Sequence, residues 1–263
     1  MARPMGLHLM ECAGNSRSGH FGMIGVADWD GVPMQEILEA IKSQRPARVL
    51  ISDFDCYSGE SETSLPGASW IFTLDQLLST RAFLATRMNG QPLTEDHGAP
   101  VRLVVPGWYG CACIKWVDEI ATVGEDTAST SQMKEYASRT MQTGVPQLAK
   151  EYQPATIDVA AMPIRVERWT VRGKIEFRVV GIEWGGGSAS IDGLEIQFNA
   201  GERYVPVENC QIVARGSWNF WIHTWTPQRP GKYSIRLRVK GSHNVTRRLD
   251  SGYYTRSVEI TEV

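Results

Sequence analysis

The segment Glu11-Cys12-Ala13-Gly14-Asn15-Ser16-Arg17 sets a cysteine among small, turn-forming residues, with an arginine five positions on. A cation near a thiol favours the thiolate, the form that attacks electrophiles and binds soft metal ions. Gly14 and Asn15 tolerate unusual backbone angles, which lets another group approach the sulfur closely. Read alone, Cys12 could equally be a buried structural cysteine, since free cysteines are among the most buried residue types. A second stretch, Asp96 to Gly110 (DHGAPVRLVVPGWYG), is followed by Lys115-Trp116. It brings one His, one Arg and one Lys to glycine-bearing turns. Arginine offers phosphate a planar fork and lysine a compact charge, so His97, Arg102 and Lys115 could form an anion cradle. The alternative is a surface hairpin whose charges are simply hydrated.

The whole sequence narrows the field. Its 263 residues suffice for one large domain or two ordinary ones, and 42% hydrophobic with 21% charged residues is an ordinary globular mixture. A net charge of −2 argues against a general nucleic-acid-binding surface, though local basic pockets remain compatible with it. No apolar run approaches the roughly 20 residues of a membrane span. The N-terminus, MARPMGLHLMECAGN, lacks the apolar core and cleavage site of a signal peptide. The compartment, bacterial periplasm or cytoplasm, stays open. Five scattered cysteines (12, 56, 111, 113 and 210) do not read as a disulfide framework. Cys111-Ala112-Cys113 has the wrong spacing for a zinc knuckle, and no CxxCH haem-attachment sequence occurs.

The elements that would position these residues fall into two regimes. Residues 1 to about 125 mix helical and strand patterns, and residues from about 155 onward look entirely β. Met34, Ile37, Leu38 and Ile41 share one face of a helix predicted over Pro33–Ile41. Arg48–Ser52 reads as a buried strand, Leu74, Leu77 and Leu78 as a short helix, and Val101–Val105 as a strand stopped by Pro106-Gly107. The long loop-rich stretch Asp53–Ser69 is of a kind that is usually functional or disordered. Gly124–Pro154 reads as a polar linker. Beyond it, four apolar sets alternate with polar residues: Ile175/Phe177/Val179, Leu194/Ile196/Phe198, Trp218/Phe220/Ile222 and Tyr233/Ile235/Leu237/Val239. This predicts antiparallel strands that bury those faces, in an immunoglobulin-like sandwich. The expected class is α+β, a mixed α/β domain followed by an all-β sandwich.

The pieces CAGNSR, ADWDGVP (Ala27–Pro33), MNGQPL (Met88–Leu93), DHGAPVRLVVPGWYG and KW occur in this order. Their order and spacing resemble the molybdopterin-binding domain of the sulfite oxidase family, over roughly residues 7–123. The stretches Gly181–Gly186 and Trp218–Tyr233 are similar to that family's C-terminal immunoglobulin-like dimerisation domain. The resemblance implies an oxidoreductase domain over residues 1–150, a dimerisation domain over 151–263, and a homodimer. It implies molybdenum held by molybdopterin, with Cys12 as the protein's sulfur ligand. The family's pterin and phosphate contacts fall on Asp53, His97, Arg102 and the segment Cys113-Ile114-Lys115. For Asp53 a loop-capping role is the alternative. Glu135-Tyr136 matches an acidic-tyrosine pair about twenty positions after the KW pair, and the Tyr136 hydroxyl would orient substrate. Simple packing is its alternative. Arg17 matches an arginine of the substrate oxyanion pocket. The implied reaction is oxygen-atom transfer on a small sulfur oxyanion such as sulfite. Electrons would pass to a separate haem protein, a c-type cytochrome.

Three departures from the family pattern bear on the substrate. The family's Arg-Asn-His segment has no counterpart before Cys12, which only eleven residues precede. The insert after CAGN shrinks to Ser18–Gly22, where His20 could contact substrate or stand in solvent as a loop histidine. The family's late arginine finds its nearest match in Arg248, within a divergent C-terminal stretch. These departures weaken "sulfite" more than "molybdopterin" and leave a sulfane-dehydrogenase-like relative plausible. Two other classes remain open. One is a cofactor-free structural or interaction protein derived from the family. The other is a β-sandwich binding module using Trp218, Trp221 and Trp225 as a ligand platform.

Overall fold

The structure, a computed structural model, describes residues 2–15, 22–41, 48–54, 67–139, 144–185, 193–211, 217–239 and 254–263. The described residues form two compact units. The first holds those up to Asn15 and from Met23 to Thr156, and the second those from Ile157 to Val263.

In the first unit the chain runs through β1 (Arg3–Glu11), β2 (Ile24–Pro33), α1 (Met34–Ala40), β3 (Arg48–Asp53), β4 (Ser69–Phe72), α2 (Leu74–Ser79), β5 (Phe83–Met88), β6 (Gln91–Pro92), β7 (Arg102–Val104), β8 (Val117–Val123) and α3 (Ser131–Glu135). One antiparallel sheet has the order β1-β2-β5-β6, with β7 also paired to β5, and a second has the order β4-β3-β8. Asn89 and Gly90, at φ +51° and +75°, make the two-residue turn between β5 and β6, which needs positive φ at both positions. The Asn89 N–H donates to the Asp28 carbonyl at 2.7 Å, and its side-chain oxygen accepts from the Asp28 N–H at 2.9 Å. The MNGQPL motif thereby docks on the ADWDGVP motif. Trp29 of the latter fills a core with Phe83, Ala85, Leu93 and Val104. Thr73 starts α2 through a capping box with Gln76, which turns buried Leu77 inward.

The stretch expected to be a polar linker is packed instead. Ser129, Thr130, Met133, Ala137 and Ala149 are all fully buried. The Thr130 hydroxyl donates to the Ser69 carbonyl at 2.6 Å and accepts from the Met133 N–H, so one side chain both caps α3 and ties it to β4. The Ser129 hydroxyl donates to the Pro146 carbonyl at 2.8 Å. These polar side chains serve backbone groups rather than solvent, and hydrophobic periodicity does not register that use.

The second unit comprises β9 (Ala160–Val171), β10 (Lys174–Trp184), β11 (Leu194–Gln197), β12 (Val205–Pro206), β13 (Asn209–Gln211), β14 (Asn219–Trp225), β15 (Gly231–Val239) and β16 (Arg256–Ile260). They form two four-stranded antiparallel sheets, β13-β14-β10-β9 and β12-β11-β15-β16. On β14 the buried face is opposite to the one expected: Trp221 and His223 are buried, while Phe220 is 40% exposed. The cause lies on β10. Gly181 stands opposite Trp221 and has no side chain, so the indole packs over its backbone and donates to the Ile182 carbonyl at 3.0 Å. Trp225 stacks on Phe198 at 4.2 Å and meets Tyr233 edge-on. Trp221 and Trp225 are thus packed within the unit and do not form an open ligand platform.

Candidate active site

The β1–β2 ladder ends at Glu11–Ile24, and Cys12 is the next residue. Its N–H donates to the Met23 carbonyl at 3.0 Å, and its carbonyl accepts the Asn15 N–H at 2.9 Å, closing a tight turn. Asn15 is buried and staples both sides of that turn. Its amide donates to the Glu11 carboxylate at 3.1 Å, and its oxygen accepts the Met23 N–H at 3.3 Å. Cys12 is exposed, and the Gly14 N–H points at its sulfur from 3.4 Å. A sulfur held this way is accessible and has its direction fixed by the backbone.

The one-turn 3₁₀ segment Gly110–Ala112 lies directly behind it. A Cβ on Gly110 would stand 3.3 Å from the Glu11 carbonyl oxygen and 3.8 Å from the Cys12 Cα. The Gln132 amide, on α3, donates to the Cys111 carbonyl and so ties α3 to this segment. Tyr136 closes α3 at its C-terminal end. Burial, then the charges of Glu135, Cys12 and Cys111, push the Tyr136 hydroxyl up to about 12. Burial, then the charges of Cys113 and Cys12, drive the Cys111 thiol well above its ordinary range.

The segments carrying His97, Arg102 and Lys115 are brought together. The Leu103 N–H donates to the Ile114 carbonyl at 2.7 Å and the Val117 N–H to the Val101 carbonyl at 3.1 Å, which lays β7 along residues 113–117. The buried Arg102 guanidinium donates to the carbonyls of His97 at 3.1 Å and Cys113 at 3.3 Å. It also reaches the Met10 sulfur at 3.4 Å and lies over the Trp29 ring at 5.6 Å. Met10 lies near the end of β1, two residues before Cys12, which directly follows the strand. The Lys115 ammonium donates to the Asp96 carbonyl at 3.1 Å and sits over Trp116 at 4.2 Å. Gly98, at φ +97°, permits this convergence. A Cβ there would lie 2.9 Å from the Lys115 Cβ and 3.1 Å from that of Arg102. His97 shares a 2.6 Å hydrogen bond with the Thr94 hydroxyl and is exposed.

The other expected contacts differ in kind. Cys113 and Ile114 turn their side chains into the core. The Cys113 sulfur accepts the Val105 N–H at 3.4 Å, and burial pushes its thiol up. Asp53 accepts the Ala68 N–H at 3.0 Å and donates its own N–H to the Ala68 carbonyl, so it ties the end of β3 to the residue before β4. It also pairs with Val117, two residues beyond Lys115. Arg17, His20 and Arg248 lie outside the described residues. Asn15 and Gln132 were not legible as site residues, because each acts through backbone groups distant in sequence. Cys111 carries no signal beyond its adjacency to the glycine turn.

Among the described residues, no three His, Cys, Asp or Glu side chains converge as a metal cage, and Cys12 is the exposed one of the three described free cysteines. The cradle fits an anionic, phosphate-bearing group. Among the described residues the buried Arg102 charge has no carboxylate partner and its Nε no hydrogen-bond partner. Burial lowers the Arg102 pKa, which marks the cost of holding that cation without an anion.

The sequence profile of the oxidoreductase molybdopterin binding domain matches residues 6–131. Mitochondrial sulfite oxidase of Mus musculus is 26% identical over 262 residues, which cover 90% of this chain and 47% of that protein. The NADPH nitrate reductase of Beauveria bassiana is also 26% identical, over 74% of this chain and 24% of that protein. The chain therefore spans about half the length of the sulfite oxidase and a quarter of the nitrate reductase. The fold is shared with the sulfane dehydrogenase SoxCD from Paracoccus pantotrophus, at a TM-score of 0.69 and 16% identity, covering 100% of this chain and 72% of that one. Profile and relatives agree that residues 6–131 are an oxidoreductase molybdopterin binding domain, similar to the one in sulfite oxidases and nitrate reductases.

Proposed function

We propose that residues 1–150 form a molybdopterin-binding domain that carries out oxygen-atom transfer on a small sulfur oxyanion such as sulfite. Electrons then leave to a separate haem protein, a c-type cytochrome. The reading is carried by one observation: an exposed Cys12 sulfur on an Asn15-stapled turn, joined by β1 to a buried Arg102 without a carboxylate partner among the described residues. When bound, the molybdenum–molybdopterin group supplies the oxygen-transfer and two-electron chemistry. Cys12 gives the metal its protein sulfur. Arg102, Lys115 and His97 hold the phosphate, with the Cys113-Ile114 backbone and Asp53 beside the pterin. Tyr136, whose raised pKa keeps the hydroxyl protonated at neutral pH, donates a hydrogen bond to a substrate oxygen. Arg17, His20 and Arg248 contribute positive charge for an anionic substrate. The two sheets of residues 151–263 act as an immunoglobulin-like sandwich that pairs two copies of the chain.

The test is turnover of sulfite, thiosulfate and a sulfoxide by molybdenum-loaded protein with an artificial one-electron acceptor. Oxidation of a sulfur oxyanion is expected, with kcat lower by about 100-fold in Tyr136→Phe. Loaded protein that turns over only the sulfoxide, or nothing, would overturn the oxyanion reading.

A further inference from the structure

Arg81 stands where helices commonly place glycine. It follows the C-cap of α2, at φ +57°. Its N–H donates to the Leu78 carbonyl at 3.1 Å, and the Ala82 N–H donates to the Leu77 carbonyl at 2.9 Å. This pair of bonds closes a helix through a left-handed residue, a conformation that a Cβ strains. The side chain is exposed, and no ion pair among the described residues includes it. Strain at a cation that makes no salt bridge there points toward a ligand. Arg81 lines a cleft of about 220 Å³ with Arg3, Pro33, Gln35, Leu78 and Ala82. Strand pairing brings these residues together. Arg3 pairs with Gly31, Pro33 pairs with Phe83, and the Met34 N–H donates to the Ala82 carbonyl at 2.8 Å. The carboxylates of α1 are already engaged, Glu36 with Arg3 at 2.7 Å and Glu39 with the Gln35 amide at 3.0 Å. The Arg3 contact uses a single guanidinium nitrogen, and the others carry donors as well.

We propose that this cleft binds a short organic carboxylate. The carboxylate meets Arg81, with Arg3 as the second cation, through the planar pairing that a guanidinium favours. The carbon body covers the apolar surface of Pro33, Ala82 and Leu78, the last of which is 38% exposed. Size narrows the class. A water takes about 30 Å³ of liquid, so the cleft of about 220 Å³ holds the volume of about seven. That is more than a bare tetrahedral anion fills, and less than the roughly 300 Å³ at which sites for drug-sized ligands begin. An inorganic anion would also leave the apolar side uncovered. The inference needs neither the metal nor the substrate proposed above, and its failure would leave both untouched.

The experiment uses the full chain with succinate as the probe, read by calorimetry and by thermal melts. Sodium chloride at matched ionic strength is the control. We expect saturable binding of about one succinate per chain, in the millimolar range or tighter, and a rise in Tm that sodium chloride does not reproduce. Arg81→Gly is the diagnostic variant. Glycine fits the left-handed position, so the ligand-free variant should melt higher than wild type while succinate binding weakens about tenfold or more. Arg3→Gln should weaken succinate by a smaller factor. Wild-type protein that does not bind succinate, or Arg81→Gly that binds it as tightly as wild type, would overturn the proposal. A lower Tm for ligand-free Arg81→Gly would do so too, because Arg81 would then serve the fold. Inorganic phosphate bound as tightly as succinate would overturn the carboxylate assignment, as would a response that sodium chloride reproduces.

Discussion

At the scale of single residues, the site depends on what Gly98 leaves out. Gly98 has a backbone conformation that L side chains rarely adopt, and a methyl there would meet Lys115 at 2.9 Å. Gly98→Ala is expected to cost about 1–3 kcal/mol of stability and to lower molybdopterin occupancy. Chemical denaturation and pterin fluorescence of the purified variant check both. Wild-type occupancy at wild-type stability would mean that Lys115 and Arg102 do not act together. This scale was also the most legible in the sequence. Cys12, His97, Arg102 and Lys115 stand in short motifs whose chemistry can be read from residue type. Asn15 was read only as a turn former, because its bonds to Glu11 and Met23 depend on where β2 begins. The inward aim of Cys113 was hidden as well, since a strand's facing follows from packing and not from the motif.

At the scale of elements, α3 is the hinge of the account. It holds Tyr136 by two bonds made far from that residue, Thr130 to β4 and Gln132 to the Cys111 carbonyl. Replacing Gln132 by Leu removes the second tie and leaves a buried carbonyl short of a donor. We expect kcat to fall about tenfold or more with molybdenum content unchanged. Equal loss of metal and activity would make Gln132 a cofactor contact instead. Sequence reading missed α3 because five residues are too short to show a period, and the polar stretch around it resembles solvent-facing chain. The same limit affected β14. Both Phe220 and Trp221 are apolar, so alternation alone could not choose a face, and the choice was made by Gly181 on the neighbouring strand. The helices α1 and α2 were legible because Pro33 marks the start of α1 and apolar spacing runs through both, though only Met34 and Leu77 are fully buried.

At the scale of the whole molecule, acid should weaken the protein before its carboxylates titrate. His8 and His223 are both held below the ordinary histidine pKa of 6.5, chiefly by burial. The Nδ1 of His223 has no partner among the described residues. The folded state thus favours neutral imidazole and the unfolded chain binds the extra proton. Their contribution to stability is complete above pH 6.5 and is lost as the pH falls below it. Thermal melts from neutral to mildly acid pH should show a falling Tm, and His223→Gln should flatten that slope. An unchanged slope would place the acid sensitivity elsewhere. The division into a mixed half and an all-β half was visible in composition. The packed region between residues 124 and 154 was not, because its polar residues satisfy backbone groups.

The central claim is that one protein sulfur, that of Cys12, holds molybdenum. Metal analysis of protein purified from a molybdopterin-competent host tests it most directly, comparing wild type with Cys12→Ser at matched folding by circular dichroism. About one molybdenum per wild-type chain is expected, and nearly none in the variant. Molybdenum retained at the wild-type level by Cys12→Ser would contradict it.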